Sequence, residues 1–383
     1  MTRPGGRIAS GAVLGLAVAA PLVLACGGAA ARGNAQGGLS PVAARIHRLL
    51  VESYPPNEPG AAVFVSKAGT VILEKGYGLA DTERKVPVSP ETVFRLASVT
   101  KMFTATAVLM LAEKKQIALD DAVVKSLPAS PASWQQITVR HLLSHTSGLA
   151  DYLDRPNSME WARNEYTVQE LIDAFKDRPA SFAPGEKNVY SNSNYVLLGA
   201  IIERLSGVTF GQFVETNLFR PLGMTSTSCG GTLKDVPRLA TAYEPARTAD
   251  DQLDWSRLLV ARPYTMSAVY TAGGCLSSLE DLARFHEGLR TGKLVGRAPL
   301  AESYEPVRLN NGSSGTMSRG GWQIDKVQGR RALMRLGALP GACTSFLIMP
   351  DEDIVVILLS NRTPGKPRCG MLSVQIAGIA VGG

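Results

Sequence analysis

The stretch "FRLASVTKMFTATAVLML", Phe94 to Leu111, decides how the rest of the chain is read. It places Ser98 three residues before Lys101 at the start of a segment with helical spacing, Ser98 to Lys114. Two readings compete. In one, Ser98 caps a helix and Lys101 is a solvated charge. In the other, Lys101 makes Ser98 a nucleophile. Ser-x-x-Lys alone recurs roughly once by chance in a chain of this length, so the neighbours have to decide. Residues three apart share a helix face, so hydroxyl and amine can meet. The residues after Lys101, "MFTATAVLMLA", are nearly all apolar, which predicts a buried helix. A buried lysine loses proton affinity and can act as a base, whereas an exposed one, with a pKa of about 10.4, stays protonated at neutral pH. The helix N-terminus would favour negative charge developing near Ser98.

Other chemistries find little support. There is no G-x-S-x-G, H-E-x-x-H, P-loop or G-x-G-x-x-G, and the four histidines and five cysteines do not cluster at zinc spacing. No cofactor and no metal is implied. The formal net charge is +7, but basic and acidic residues are interspersed without a long Lys/Arg run, so a nucleic-acid partner is not expected. With 45% hydrophobic and 19% charged residues, the 383-residue chain has the composition of a folded protein.

The chain opens differently. Arg3 and Arg7 precede the apolar run Ile8 to Ala25, interrupted by Gly11, Gly15 and Pro21, the layout of a secretory signal peptide over residues 1–26. "VLAC" ending at Cys26 resembles a bacterial lipobox, which would lipidate Cys26. Ordinary cleavage after "GNA" (Gly33 to Ala35) is the alternative. Residues 27–40, rich in Gly and Ala, read as a flexible tether. The expected location is therefore the periplasm or cell envelope, with membrane contact only through an N-terminal lipid. The other cysteines, Cys229, Cys275, Cys343 and Cys369, could be bridged in three ways or remain buried thiols.

Residues 41–383 read as one domain. "AAVFVSKAGTVILEKGYGLAD" forms two strands around Ala68-Gly69. The C-terminal part repeats that character in "GWQIDKV", "RALMRLG", "TSFLIMP" and "IVVILLS", before a final apolar helix, "MLSVQIAGIAV". Between them, Thr167–Asp177, Ser193–Gly207 and Ser278–Gly292 have helical spacing. The expected fold is α/β (α+β): an antiparallel sheet built from about 41–95 and 318–383, flanked by helices, with a mainly helical subdomain, about 96–317, inserted between.

Tyr190-Ser191-Asn192 follows the turn "APGEK" at the mouth of a helix. A tyrosine and an asparagine two apart at such a junction can both face a cleft, one as proton carrier and one as hydrogen-bond partner. A packed tyrosine followed by an Asn N-cap is the plainer reading.

In order, Ser98-x-x-Lys101, "LLSHTSGL" (Leu142 to Leu149), Tyr190-x-Asn192 and "TAGGCLSSLEDLARF" (Thr271 to Phe285) resemble the serine β-lactamase and penicillin-binding-protein superfamily. The resemblance runs from about Val42 to the C-terminus. It looks nearest to the branch of class C β-lactamases, D-alanyl-D-alanine carboxypeptidases and related esterases. It implies Ser98 as acylated nucleophile, Lys101 as base, Tyr190 as proton shuttle and Asn192 as a binder of the substrate amide or carbonyl. His145 and Gly148 would shape a loop, with His145 not catalytic. The family's third motif, Lys-Thr-Gly or His-x-Gly, is departed from here: Arg335-Leu336-Gly337 stands in its place. By that alignment Gly337 avoids crowding the substrate and Ala338 N–H joins Ser98 N–H as the oxyanion hole. Arg335 would either clamp a substrate carboxylate or be an exposed residue paired with a carboxylate. Leu336 lacks the hydroxyl that helps Lys-Thr-Gly members hold a carboxylate. The resemblance thus implies a serine hydrolase acting through acyl-Ser98 on a small-molecule or peptide ester or amide: a β-lactam, a D-Ala-D-Ala peptide or an ester. A monomer is expected. A non-catalytic envelope protein that keeps the fold and binds a peptide or cell-wall ligand is the rival.

Overall fold

The computed structural model describes residues 1, 39–250, 252–365 and 368–382. Cys26, the leader and most of the tether lie outside the described residues.

Eight strands form one antiparallel sheet: β1 (Ala61–Lys67), β2 (Thr70–Tyr77), β3 (Pro306–Arg308), β4 (Ser314–Ser318), β5 (Gln323–Val327), β6 (Arg330–Leu339), β7 (Ala342–Met349) and β8 (Ile354–Ser360). Their spatial order is β3-β4-β5-β6-β7-β8-β1-β2. The first strand of the chain therefore lies against the last, Ala61 opposite Ser360 and Lys67 opposite Ile354. Local sequence sets the hairpins. Ala68-Gly69 and Gln328-Gly329 both have positive φ and close two-residue turns, as the right-handed strand twist prefers. In Pro340-Gly341, proline precedes a glycine at φ 69°, a pairing suited to a type II turn.

Both faces of the sheet are covered, which is why β8, "IVVILLS", is apolar throughout rather than alternating. Val63, Val65, Val356 and Leu358 meet α1 (Pro41–Ser53) and the C-terminal helix, through Ile46, Leu50, Leu372 and Ile376. Ala62, Phe64, Val355 and Ile357 face the middle of the chain, including Phe103 of α2 (Lys101–Glu113) and Phe285 of α4 (Leu279–Arg290). Between those two helices in sequence lies α3 (Asn192–Ser206), and the C-terminal helix, α5, is Cys369–Val381. Helix α2 is buried nearly all round, as its uniform apolarity predicts.

The middle differs from the expected plan in three places. Residues 306–318 add two strands to the edge of the large sheet. Val93–Arg95 leaves that sheet and pairs with Cys275–Ser278 in a small three-stranded one. A hairpin, Tyr243–Arg247 with Leu253–Val260, stands in the region read as helical. Its strands carry Pro245, Arg247, Asp254 and Arg257, so no alternating apolar pattern announced them.

Cysteines pair as Cys229–Cys275, across neighbouring strands, and Cys343–Cys369, joining β7 to α5. With the partners 46 and 26 positions apart in sequence, loop closure alone makes each bridge worth about 3–4 kcal/mol. Thermal unfolding under reducing conditions is expected to fall by roughly 5 °C per bridge. An unchanged melting curve after full reduction would show that the bridges add nothing.

Candidate active site

Ser98 sits on a bent connection. Ser98 lies within a single 3-10 turn, Ala97–Thr100, that runs straight into α2, so it is not the N-cap of that helix. The residue before it, Ala97, holds φ at +48°, a left-handed conformation that costs an alanine roughly 1–2 kcal/mol. The turn is braced from outside. The Thr344 hydroxyl donates to Leu96 O at 2.7 Å, and β6 crosses directly over Leu96 and Ala97 at Gly337. A Cβ at Gly337 would lie 2.1 Å from Thr344 Oγ1, 2.4 Å from Leu96 O and 3.1 Å from the Ala97 Cβ. Gly337 therefore makes room for the nucleophile turn rather than for substrate, a correction to the sequence-based reason for it. The same approach brings the exposed Ala338 beside that turn.

Lys101, at the start of α2, is fully buried. Its Nζ lies 3.1 Å from Ser98 Oγ, 2.8 Å from Asn192 Oδ1 and 2.8 Å from Ala272 O. Burial, and then the nearby Arg335 charge, hold its pKa well below the ordinary lysine value, with Asp151 pulling weakly the other way. Tyr190 OH is 2.7 Å from Ser98 Oγ and 3.4 Å from Asn192 Oδ1. Desolvation pushes its pKa up, partly offset by the Ser98 bond and Arg335. The residue is 38% exposed, so that push is weaker than for an enclosed phenol, but its sign keeps Tyr190 a neutral phenol. Asn192 opens α3, and Ser191 occupies the N-cap position without a side-chain bond. The plain N-cap reading of Asn192 does not hold.

His145 is buried at φ +57°. Its Nδ1 accepts from Ser191 N–H at 3.2 Å, and its ring stacks on Tyr190 at 4.5 Å and lies 5.1 Å from Tyr195. Burial and the neighbouring Arg335 and Lys101 charges hold it well below the usual histidine range, hence neutral. It makes no contact with Ser98 and serves as a wall behind Tyr190.

The third motif needs correction at two positions. Arg335 is 4% exposed, not a surface residue. Its Nη2 donates to Tyr195 OH at 2.6 Å and to Gly320 O at 3.2 Å, and the guanidinium lies 5.4 Å from the Tyr195 ring centre. Among the described residues no carboxylate pairs with it. Nη2 is thus taken up by Tyr195 and Gly320 beneath the site, which leaves Nη1 and Nε for any further partner. Leu336 faces the other side of the sheet, where a Cβ on Gly370 of α5 would come within 2.9 Å of its Cδ2. Neighbours in a strand point to opposite faces, so a hydroxyl at position 336 would not reach a substrate beside Gly337.

Two participants escaped the sequence reading. Ala272 contributes a backbone carbonyl, which leaves no side-chain signal. Asp151 accepts from Asn192 N–H at 3.0 Å and from Asn192 Nδ2 at 2.9 Å. Its position two residues after "HTSGL" is the only sign the sequence offers. Among the described residues no group of three His, Cys, Asp or Glu side chains could hold a metal ion.

A dehydrated lysine amine and a neutral tyrosine converge on one serine oxygen, an arrangement able to serve acyl transfer through that serine. The chain belongs to the Beta-lactamase family, whose model matches residues 50–377. It is 30% identical over 313 residues to penicillin-binding protein 4* of Bacillus subtilis (strain 168), covering 78% of this chain and 67% of that protein. It is 27% identical over 308 residues to protein flp of Staphylococcus aureus (strain NCTC 8325 / PS 47), covering 79% of this chain but only 59% of that one. Among solved structures, a D-stereospecific amidohydrolase from Streptomyces sp. superposes with a TM-score of 0.70 at 25% identity, covering 84% of this chain and 94% of the other.

Proposed function

We propose that the protein is an exported, monomeric serine hydrolase that acylates Ser98 with uncharged esters or amides. One observation carries this reading: the partners around Lys101. A neutral amine has two N–H donors and one lone pair. Asn192 Oδ1 and Ala272 O, both acceptors at 2.8 Å, take the two N–H groups. The lone pair is left for Ser98, 3.1 Å away.

The reaction follows. Ser98 Oγ attacks the carbonyl carbon while its proton passes to Lys101 Nζ. Backbone N–H groups of Ser98 and Ala338 receive the oxyanion. The C–O or C–N bond to the leaving group breaks as Tyr190 gives that group its phenolic proton, and the Lys101 ammonium returns a proton to Tyr190. Water then attacks the acyl carbon and gives a proton to Lys101, the C–Oγ bond breaks, Ser98 Oγ regains a proton from Lys101, and the free acid leaves. The preference for uncharged substrates rests on Arg335, which is turned into the protein and bound to Tyr195. A lipid on Cys26 remains part of this proposal, and the two disulfides support an oxidising compartment.

Mass spectrometry of the intact protein tests it. Wild type and Ser98→Ala would be incubated with a p-nitrophenyl ester, a D-amino-acid amide and a penicillin, and both protein and small molecule weighed. The expected result is hydrolysis of ester or amide with a transient adduct on wild type alone. Turnover confined to the carboxylate-bearing penicillin would overturn the uncharged-substrate reading. An unmodified protein with every compound intact would overturn the enzyme reading and favour a ligand-binding protein.

A further inference from the structure

The hydrogen bonds on Ser98 run in one direction, and that direction is decided three residues away. Asn192 can present either its oxygen or its NH2 to Lys101, since the two ends of an amide differ little in shape. With the NH2 forward, two donors would confront each other: the amide and the Lys101 amine, which would then have to turn its lone pair to Asn192 and away from Ser98. The bond partners of Asn192 exclude this. Asp151 Oδ2 takes both the Asn192 backbone N–H at 3.0 Å and the side-chain Nδ2 at 2.9 Å, and a carboxylate can only accept. The other carboxylate oxygen, Oδ1, is held by Leu153 N–H at 2.9 Å, so the group cannot turn freely. The Asp151 backbone is held as well, its carbonyl accepting from Arg178 Nη1 at 2.7 Å.

We propose that Asp151 is a positioning residue that locks the Asn192 amide oxygen toward Lys101 and thereby aims the Lys101 lone pair at Ser98. The chain then reads Tyr190 O–H to Ser98, Ser98 O–H to Lys101, Lys101 N–H to Asn192 and Asn192 N–H to Asp151, every donor facing an acceptor. The Asp151 side chain bonds to Leu153 and Asn192, and among the described residues it makes no hydrogen bond to Ser98. Its negative charge has a second effect, favouring the protonated form of Lys101. This inference rests on the proposed function for its kinetic consequence, though not for its structural one.

The test uses the full chain and Asp151→Asn, which keeps the shape and removes the charge and one acceptor site. Asparagine-selective 15N NMR reads the Asn192 side-chain amide directly. In wild type its bonded proton is expected to be shifted and protected from exchange, and in Asp151→Asn both features should disappear. On the ester or amide that wild type turns over, kcat should fall roughly 10–100-fold with KM within about two-fold. The acid limb of kcat/KM should move to lower pH, because Lys101 loses a charge that favoured its protonation. A purely structural role would lower the folded fraction without moving that limb. Asp151→Ala, followed by melting curves, controls for folding. An Asn192 amide signal unchanged in Asp151→Asn would overturn the inference whether or not the protein is an enzyme. If wild type shows no acylation, the functional reading fails and the NMR result still decides this one.

Discussion

Lys101→Met is expected to lower kcat/KM by roughly 10²–10⁴, the usual worth of a positioned general base, while leaving a folded protein. Methionine matches the length of the lysine stem and suits the apolar surroundings of α2. The variant lacks only the amine that takes the Ser98 proton. The pH dependence gives a sharper check. In the proposed mechanism Lys101 reacts as the neutral amine, so wild-type activity is expected above its depressed pKa and should disappear as pH falls through it. In the methionine variant that acid limb should vanish from whatever rate remains. Stability moves in a linked way. In the unfolded chain the lysine titrates near 10.4, so at lower pH the unfolded state binds a proton that the folded state excludes. Stability therefore falls with falling pH, by about 1.4 kcal/mol per unit, from about pH 10.4 down to the folded-state pKa. The methionine variant should lack that slope in urea titrations across this range. Wild-type kcat/KM in Lys101→Met would remove Lys101 from the mechanism.

Gly337→Ala is the second large effect. The added Cβ would meet Thr344 Oγ1 at 2.1 Å and Leu96 O at 2.4 Å, and the latter is backbone with little freedom to withdraw. Either β6 moves off the nucleophile turn or the turn moves, at a cost of about 1–3 kcal/mol. Both movements separate Ala338 N–H from Ser98 N–H. Loss of one oxyanion donor typically lowers kcat by 10²–10³. The expected signature is a folded protein, with a modestly lowered melting temperature, that acylates at least 100-fold more slowly than wild type, with little change in KM. Normal acylation rates would show that the close crossing at residue 337 is not needed for chemistry.

These residues show what the sequence could and could not disclose. The buried α2, the paired terminal strands and the convergence of Ser98, Lys101, Tyr190 and Asn192 follow from apolar runs and the order of short motifs, which depend on side-chain type. Arg335 and Leu336 were misplaced because a strand's two faces were not assigned. Once Gly337 is known to face Leu96, alternation puts Arg335 on the same side and Leu336 on the other. Burial of Arg335 also depended on Tyr195, 140 residues earlier, being free to accept its bond. Ala272 acts through its carbonyl, which any residue possesses. Asp151 lies in a loop without periodicity, where a carboxylate is ordinarily solvated. The hairpin at 243–260 was missed because its exposed strands need no apolar alternation.

The sheet order has a consequence for timing. The turn that carries Ser98 takes its shape from Thr344 and Gly337, more than two hundred residues further along the chain. The strand on which β1 rests is β8, the last to be made. A growing or threading chain therefore carries its reactive residues early and cannot arm them until almost all of it has emerged. Contacts this distant in sequence close slowly. A product cut short just before β6 would hold Ser98, Lys101, Asp151, Tyr190 and Asn192 but lack Arg335 and Thr344, and it is expected to perform no chemistry.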